Sequence, residues 1–260
     1  MSIYQHFRKD EAPFIDQILN WKDQVDQQYI TKYSDFLDPR EQHIYQNIIG
    51  QDEQYQLAFF GGVENAERKQ AILAPFYETI EQESFPITIL TANFPVKFVT
   101  IEHRDVLGAF LSLGLLRKKL GDVSIDLETG MIQLIVSSDI SDFIIAQFNS
   151  IKNATVQFQP VPLAEAIATK DEWINHEATV SSLRLDVVLK HFYRLSRTQA
   201  SDLIKKSFVK VNFKTVEDSA FIVEAGDIIS CRGKGRSRLN QIMTQTKKQK
   251  WRVEFSRLKN

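Results

Sequence analysis

Apolar positions recur at helical spacing through the first fifty residues. Phe14, Ile15, Ile18 and Leu19 fall on one stripe and Val25 continues it, which predicts an amphipathic helix. A second helix is expected in "LDPREQHIYQNII", with Asp38 as its N-cap and Pro39 at the first helical position. The period then shortens: "QYQLAFF" reads as a strand and "GGVENAERKQAIL" as a turn followed by a helix. Gly61 and Gly62 could offer backbone N–H groups to a phosphate at that helix start. A strand-to-helix turn calls for glycine on conformational grounds in any case.

From about residue 84 the pattern runs strand "FPITILTANF", a further extended stretch in "KFVTI", helix "DVLGAFLSLGLL", strand "DVSIDL", turn "ETG", strand "MIQLIVS", helix "DISDFIIAQFNSI" and strand "ATVQFQPV". This order predicts a split βαβ sandwich, the plan of ferredoxin-like domains and RNA-recognition modules. Base-stacking aromatic residues are expected on a central strand of such modules, and "GMIQLIVS" has none. Residues 160–182 read as a proline-opened connector with a short strand at its end.

Beyond it, Leu185, Val188, Leu189 and Phe192 form an amphipathic stripe in "LRLDVVLKHFY". A second helix, "SRTQASDLIKKS", opens with Ser196 three residues before Gln199, the spacing of a capping box. Ala200, Leu203 and Ile204 face inward there, leaving Arg197, Ser201 and Lys205 in an i, i+4, i+8 line. Then come strand "FVKVN", a turn at Phe213 and Lys214, a strand through "AFIVEAGD" and a basic strand. In "CRGKGRSRL", an extended backbone would put Arg232, Lys234, Arg236 and Arg238 on one face and the glycines on the other. The expected class is α+β in three small domains: an N-terminal α/β domain over 1–83, an RNA-recognition-like domain over 84–162, a connector over 163–182, and a two-helix plus small-sheet domain with a basic tail over 183–260.

The net charge of −1 conceals a segregation that sharpens this division. Residues 1–182 carry 14 basic and 26 acidic side chains, a net −12, and residues 183–260 carry 18 and 7, a net +11. A basic third set against an acidic remainder points to a polyanionic partner for that third. The single cysteine, Cys231, permits no intramolecular disulfide, and His6, His43, His103, His176 and His191 are too scattered for a metal cluster or an evident nucleophile and base. "HRDVLGAF" imitates a kinase catalytic loop but has Phe110 where asparagine is required, so Asp105 is read as a helix cap. The glycines of "CRGKGRSRL" satisfy neither a dinucleotide fingerprint nor a Walker loop. No apolar run approaches the roughly 18 residues a membrane span needs. The expectation is a cytoplasmic protein with no membrane insertion, no cofactor, no metal and no catalytic residue.

A helix N-terminus bearing Arg197 beside a basic strand has the chemistry of a phosphate-binding surface. The stretch 183–236, with its "RLD" helix, "SR...A..LI" helix, "VKVN" strand, "GD.IS" turn and "RGKGR" end, resembles the RNA-binding domain named after ribosomal small-subunit protein four. With "GGVENAERKQA", "HRDVLGAFLSLGLLRKKLGD", "SSLRLD" and "TKK...WRV", most of the chain resembles the YlmH family of bacterial proteins. It departs from that pattern at Phe213, where a small residue is commoner, and at Lys118, where an acid is common. The resemblance implies RNA contacts at Arg184, Arg197, Thr198, Gln199, Lys205 and Lys206, with Arg232, Lys234 and Arg236 as a second group; the helical line adds Ser201 and the strand adds Lys210. It further implies large-subunit ribosomal RNA and transfer RNA as partners, other quality-control or division proteins beside them, and a non-enzymatic part in the quality control of stalled nascent chains. Two other readings stay open: an RNA-modifying enzyme with an appended RNA-binding domain, and a division-linked protein interaction module.

Overall fold

The computed structural model describes residues 7, 11–50, 52–167, 172–246 and 249–259. It comprises two units, Met1–Thr169 and Lys170–Asn260. The fold is α+β, with the elements of each unit set out below.

In the first unit, helix α1 (Ala12–Gln28) and strand β1 (Lys32–Tyr33) precede helix α2 (Pro39–Ile49) and strands β2 (Tyr55–Phe60) and β3 (Gln70–Pro75). Ile15, Ile18 and Val25 of α1 are buried against Ile44, Tyr45 and Ile49 of α2 and Ala71 and Leu73 of β3. Helix α2 starts where its cap chemistry requires: the Glu41 amide donates to Asp38 Oδ1 at 2.9 Å and the Asp38 amide to Glu41 Oε2 at 2.7 Å. The antiparallel sheet runs β1-β3-β2.

The helix expected after "GG" is absent: residues 61–69 form a loop that enters β3 directly. A Cβ on Gly61 would lie 2.3 Å from the Arg68 carbonyl oxygen, so the loop folds back on itself too tightly for any side chain there. The Asp122 carboxylate, from a later strand, accepts from the Glu67 and Arg68 amides at 2.7 and 3.1 Å and closes it. With no helix start behind them, the phosphate reading of Gly61 and Gly62 loses its basis.

Strand β4 (Ile87–Asn93), helix α3 (His103–Ser112), strands β5 (Leu120–Asp126) and β6 (Met131–Ser137), helix α4 (Ser141–Gln147), the short pair β7 (Ser150–Ile151) and β8 (Ala154–Thr155), and β9 (Gln159–Val161) complete the unit. The sheet order β5-β6-β4-β9, antiparallel throughout, is that of a split βαβ sandwich. "KFVTI" is not a strand, because the Phe98 and Val99 amides turn back to the Pro95 carbonyl. Asp105 sits one turn into α3 and accepts from the Glu102 amide at 2.8 Å, so it completes a capping box and is not the N-cap.

Both faces of this sheet are covered. Val106, Phe110, Ile144 and Phe148 pack on Leu90, Ile132, Leu134 and Val136, while Ile89 and Ile135 on the opposite face meet Phe36, Val63, Leu163 and Ala166. The buried Gln133 amide donates to the Glu165 carbonyl at 3.0 Å, fastening residues 163–167 over that second face. RNA-recognition modules read bases from an open sheet face. Here that face belongs to the core.

In the second unit, β10 (Trp173–Val180) leads into helices α5 (Leu185–Phe192) and α6 (Arg197–Lys205), then β11 (Val209–Val211), β12 (Lys214–Thr215), β13 (Ile228–Cys231), β14 (Gly235–Gln245) and β15 (Trp251–Leu258). The antiparallel sheet runs β10-β15-β14-β13-β11-β12. Both helices pack on one face, with Leu185, Val188, Leu189, Phe192, Ala200 and Ile204 against Val209, Ile229, Leu239, Val253 and Phe255. The stretch 163–182, expected as a connector, is thus shared: its start covers the central sheet and its end supplies an eight-residue strand here. The strand expected through "AFIVEAGD" is not formed; apart from a single bridge between Ile222 and Arg184, those residues are loop and turn.

Candidate nucleic-acid interface

Where α5 begins, Arg184 is the N-cap and Asp186 lies in the first turn. The Asp186 side chain is only 4% exposed. Arg184 donates to it through Nε and Nη2 at 3.1 and 3.3 Å, and Arg197, at the first position of α6, donates through Nε at 3.1 Å. Burial alone would raise this carboxyl; the hydrogen bonds and charges of Arg184 and Arg197 outweigh it and hold the group below the ordinary carboxylate range. One buried anion therefore fixes two guanidiniums that are themselves 37% and 64% exposed. The group as a whole keeps one positive charge, and a guanidinium has five N–H donors, more than Asp186 engages on either arginine.

Helix α6 carries the next group. The Gln199 amide donates to Ser196 Oγ at 3.1 Å and the Ser196 amide to Gln199 Oε1 at 2.9 Å. The side-chain oxygen of Gln199 is thus occupied by the cap, while exposed Thr198 stands beside it. Ser201 Oγ lies 3.1 Å from Ser219 Oγ, tying α6 to the following loop. Lys205 and Lys206 are exposed at the C-terminal end. Arg197 and Lys205 are separated by about 12 Å of helix rise.

"CRGKGRSRL" is a hairpin, not one strand. Cys231 pairs with Gly235, residues 232–234 turn, and Gly233 and Gly235 take φ of +74° and +88°. The glycines are needed for the turn, so the ridge of four cations on one face is not formed. Instead the Arg232 amide donates to the Phe208 carbonyl at 2.9 Å and its guanidinium lies 5.0 Å from the Phe208 ring centroid. Phe208 follows α6, so Arg232 joins the end of the helix that bears Lys205 and Lys206, with exposed Lys234 beside it in the turn.

Arg236 and Arg238 project from β14 on the face away from the helices, since the alternate residues Ser237 and Leu239 are buried in the helix-side core. Lys210 pairs with Ser230, which pairs with Arg236, so Lys210 shares this outer face. Arg236 stacks over Phe213 at 5.9 Å and Arg238 over Trp173 at 4.7 Å. The expected residues thus fall into three places: Arg184, Arg197, Thr198, Gln199 and Ser201 at the helix starts; Lys205, Lys206, Arg232 and Lys234 at the end of α6; Lys210 and Arg236 on the outer sheet face.

Sequence reasoning missed Asp186, although "RLD" places an acid two residues after an arginine in a first helical turn. It also missed Tyr193, whose buried hydroxyl accepts from Ser237 Oγ at 3.0 Å and lies 3.0 and 3.1 Å from the Ile229 and Gly235 carbonyls, pinning the base of the hairpin. Phe213 and Asn212 both take positive φ, 66° and 49°, in the β11–β12 turn, the geometry that favours smaller residues at that place. Lys118 pairs with Asp35 at 2.8 Å within the first unit. Among the described residues, no group of three His, Cys, Asp or Glu side chains could hold a metal ion, and no helix is long and apolar enough to cross a membrane.

Two family models match the chain: "Putative RNA-binding domain in YlmH" over residues 81–165, and "S4 domain" over residues 183–229. The "Ribosome-associated protein quality control protein P2" of Bacillus subtilis (strain 168) is 47% identical over 257 residues, covering 99% of each chain. A solved structure, the "Cell division protein ylmH from Streptococcus pneumoniae", shares 23% identity with a TM-score of 0.54 over 64% of this chain and 100% of its own, a likeness of fold.

Proposed function

Since this chain belongs to the YlmH family, we propose that it is a non-enzymatic, cytoplasmic RNA-binding factor that acts on the large ribosomal subunit and transfer RNA in the quality control of stalled nascent chains. The name of its Bacillus subtilis relative supports a ribosome-associated role, and the match to the S4 domain supports RNA as the ligand. The observation that carries the reading is the arginine pair anchored on Asp186, continued along α6 by Lys205 and Lys206 and by Arg232 at its end. Such a surface neutralises phosphates and recognises shape; it offers little that could read a string of bases. In this role Arg184, Arg197, Thr198, Gln199, Ser201, Lys205 and Lys206 contact RNA first, Arg232 and Lys234 extend the contact, and Lys210 and Arg236 reach it from the sheet.

Crosslinking in cells followed by sequencing of the bound RNA tests this directly. Ribosomal RNA of the large subunit and transfer RNA should be recovered together. Recovery of neither above background would sink the proposal, and a changed nucleoside in a defined RNA treated with purified protein would return the reading as a modifying enzyme.

A further inference from the structure

One end of the first unit is both aromatic and acidic, and nothing in the RNA reading uses it. Four large side chains stand out there: Tyr29 is 67% exposed, Ile30 45%, Phe76 62% and Tyr77 56%. The fold brings them to the same end. Tyr29 caps α1, and Asp26 in the last turn of that helix accepts from the Tyr55 hydroxyl at 2.5 Å. Tyr55 pairs with Pro75 across β2 and β3, and the next residue, Phe76, donates its amide to the Gln54 carbonyl at 3.1 Å. Phe76 and Tyr77 meet edge to face at 5.4 Å. Isolated exposed apolar residues are ordinary, but a group of this size at one end marks a contact surface.

The charge around it selects the partner. Burial raises the Tyr55 hydroxyl, and the carboxylates of Asp26, Asp52 and Asp23 raise it further, so all three act on this end. Glu53 and Glu78 are exposed in the adjoining turns. Two cations stand near, Lys32 at the start of β1 and Lys22, of which Lys22 pairs with Asp52 at 3.3 Å and lies 4.9 Å from the Tyr55 ring centroid. Lys22 shows within the chain the contact this surface suits: an ammonium between a carboxylate and an aromatic face. RNA and anionic lipid would be repelled by the same carboxylates.

We infer that this end of the first unit docks a lysine- and arginine-rich segment of another protein, with the aromatic rings taking the aliphatic stems and the carboxylates the charged heads. The inference is independent of the RNA reading and survives its failure.

The test places p-benzoylphenylalanine at position 77 of the full chain, photo-crosslinks in cells and identifies the adduct by mass spectrometry. The expected adduct is a protein segment in which lysine and arginine outnumber the acids. A synthetic peptide of that segment should bind the purified chain, and Phe76→Ser should weaken it by at least about tenfold without altering thermal unfolding. Asp23→Asn with Glu78→Gln should also weaken it and flatten its salt dependence, which provides a second reading should Phe76→Ser unfold. An adduct to RNA, to a second copy of this chain, to its own basic unit or to a segment without basic excess would overturn the inference, as would the lack of any protein adduct.

Discussion

A carboxylate between two arginines decides how the candidate RNA surface is presented. Asp186 is buried, and its ionised form is held by Arg184 and Arg197. Because its folded-state pKa lies below the unfolded value of about 3.9, the stabilisation is fully present above that value and is lost as pH falls through the folded value. Asp186→Asn should therefore cost about 1–3 kcal/mol in urea unfolding at neutral pH, and the difference from the parent chain should shrink on acidification below about pH 4. A difference that persists at low pH would mean the side chain acts by packing alone. The arginines were legible in the sequence, because Arg197 follows a capping serine and falls on the outer line of a helix. Asp186 was not, because an acid in a first turn ordinarily faces water, and this one is buried where α6 and the loop at Ser219 meet the start of α5.

Elements whose ends are set by local chemistry could be read from the chain, and elements set by distant contacts could not. Asp38 with Pro39 and Ser196 with Gln199 fix helix starts through their own side chains, and both capping boxes form. The segment 61–69 has helical composition but folds as a loop, because Asp122, more than fifty residues away, draws its amides to one carboxylate. Gly61→Ala should consequently destabilise the first unit by more than about 2 kcal/mol, since its Cβ would meet backbone at 2.3 Å and a flexible side chain is not there to give way. Were the substitution neutral in thermal unfolding, the tight loop would be wrong. The hairpin at 231–235 teaches the same lesson: alternation of cations and glycines fits an extended strand, yet Gly233 and Gly235 are at positive φ and turn the chain. As a result Arg232 and Lys234 stand in a turn while Arg236 and Arg238 stand on a strand, and the four do not form the one extended ridge that the alternation implied.

At the scale of the molecule, charge and cover divide the work. The open face expected of an RNA-recognition plan is filled by Phe36, Leu163 and Ala166, so the central domain has no bare sheet on which to stack bases. The basic third carries a net +11 over 78 residues, and its cations lie on both sides of one small sheet. If about six of them neutralise phosphates, log K should fall with log salt at a slope of about −4 to −5. Arg197→Ala with Lys205→Ala should make that slope shallower by about 1.4 to 1.8, two phosphate contacts' worth. The charge division was visible in the sequence; the covered sheet was not, since the residues that cover it come from either side of the domain in the chain.

The same double substitution, read by co-sedimentation with large ribosomal subunits at physiological salt, asks whether the surface along α6 is what holds the protein to RNA. The parent chain should pellet with the subunit, and Arg197→Ala with Lys205→Ala should leave it in the supernatant, still folded, with thermal unfolding lowered only by the loss of one of the two guanidiniums on Asp186. Undiminished co-sedimentation of the folded double variant would contradict that role for the surface.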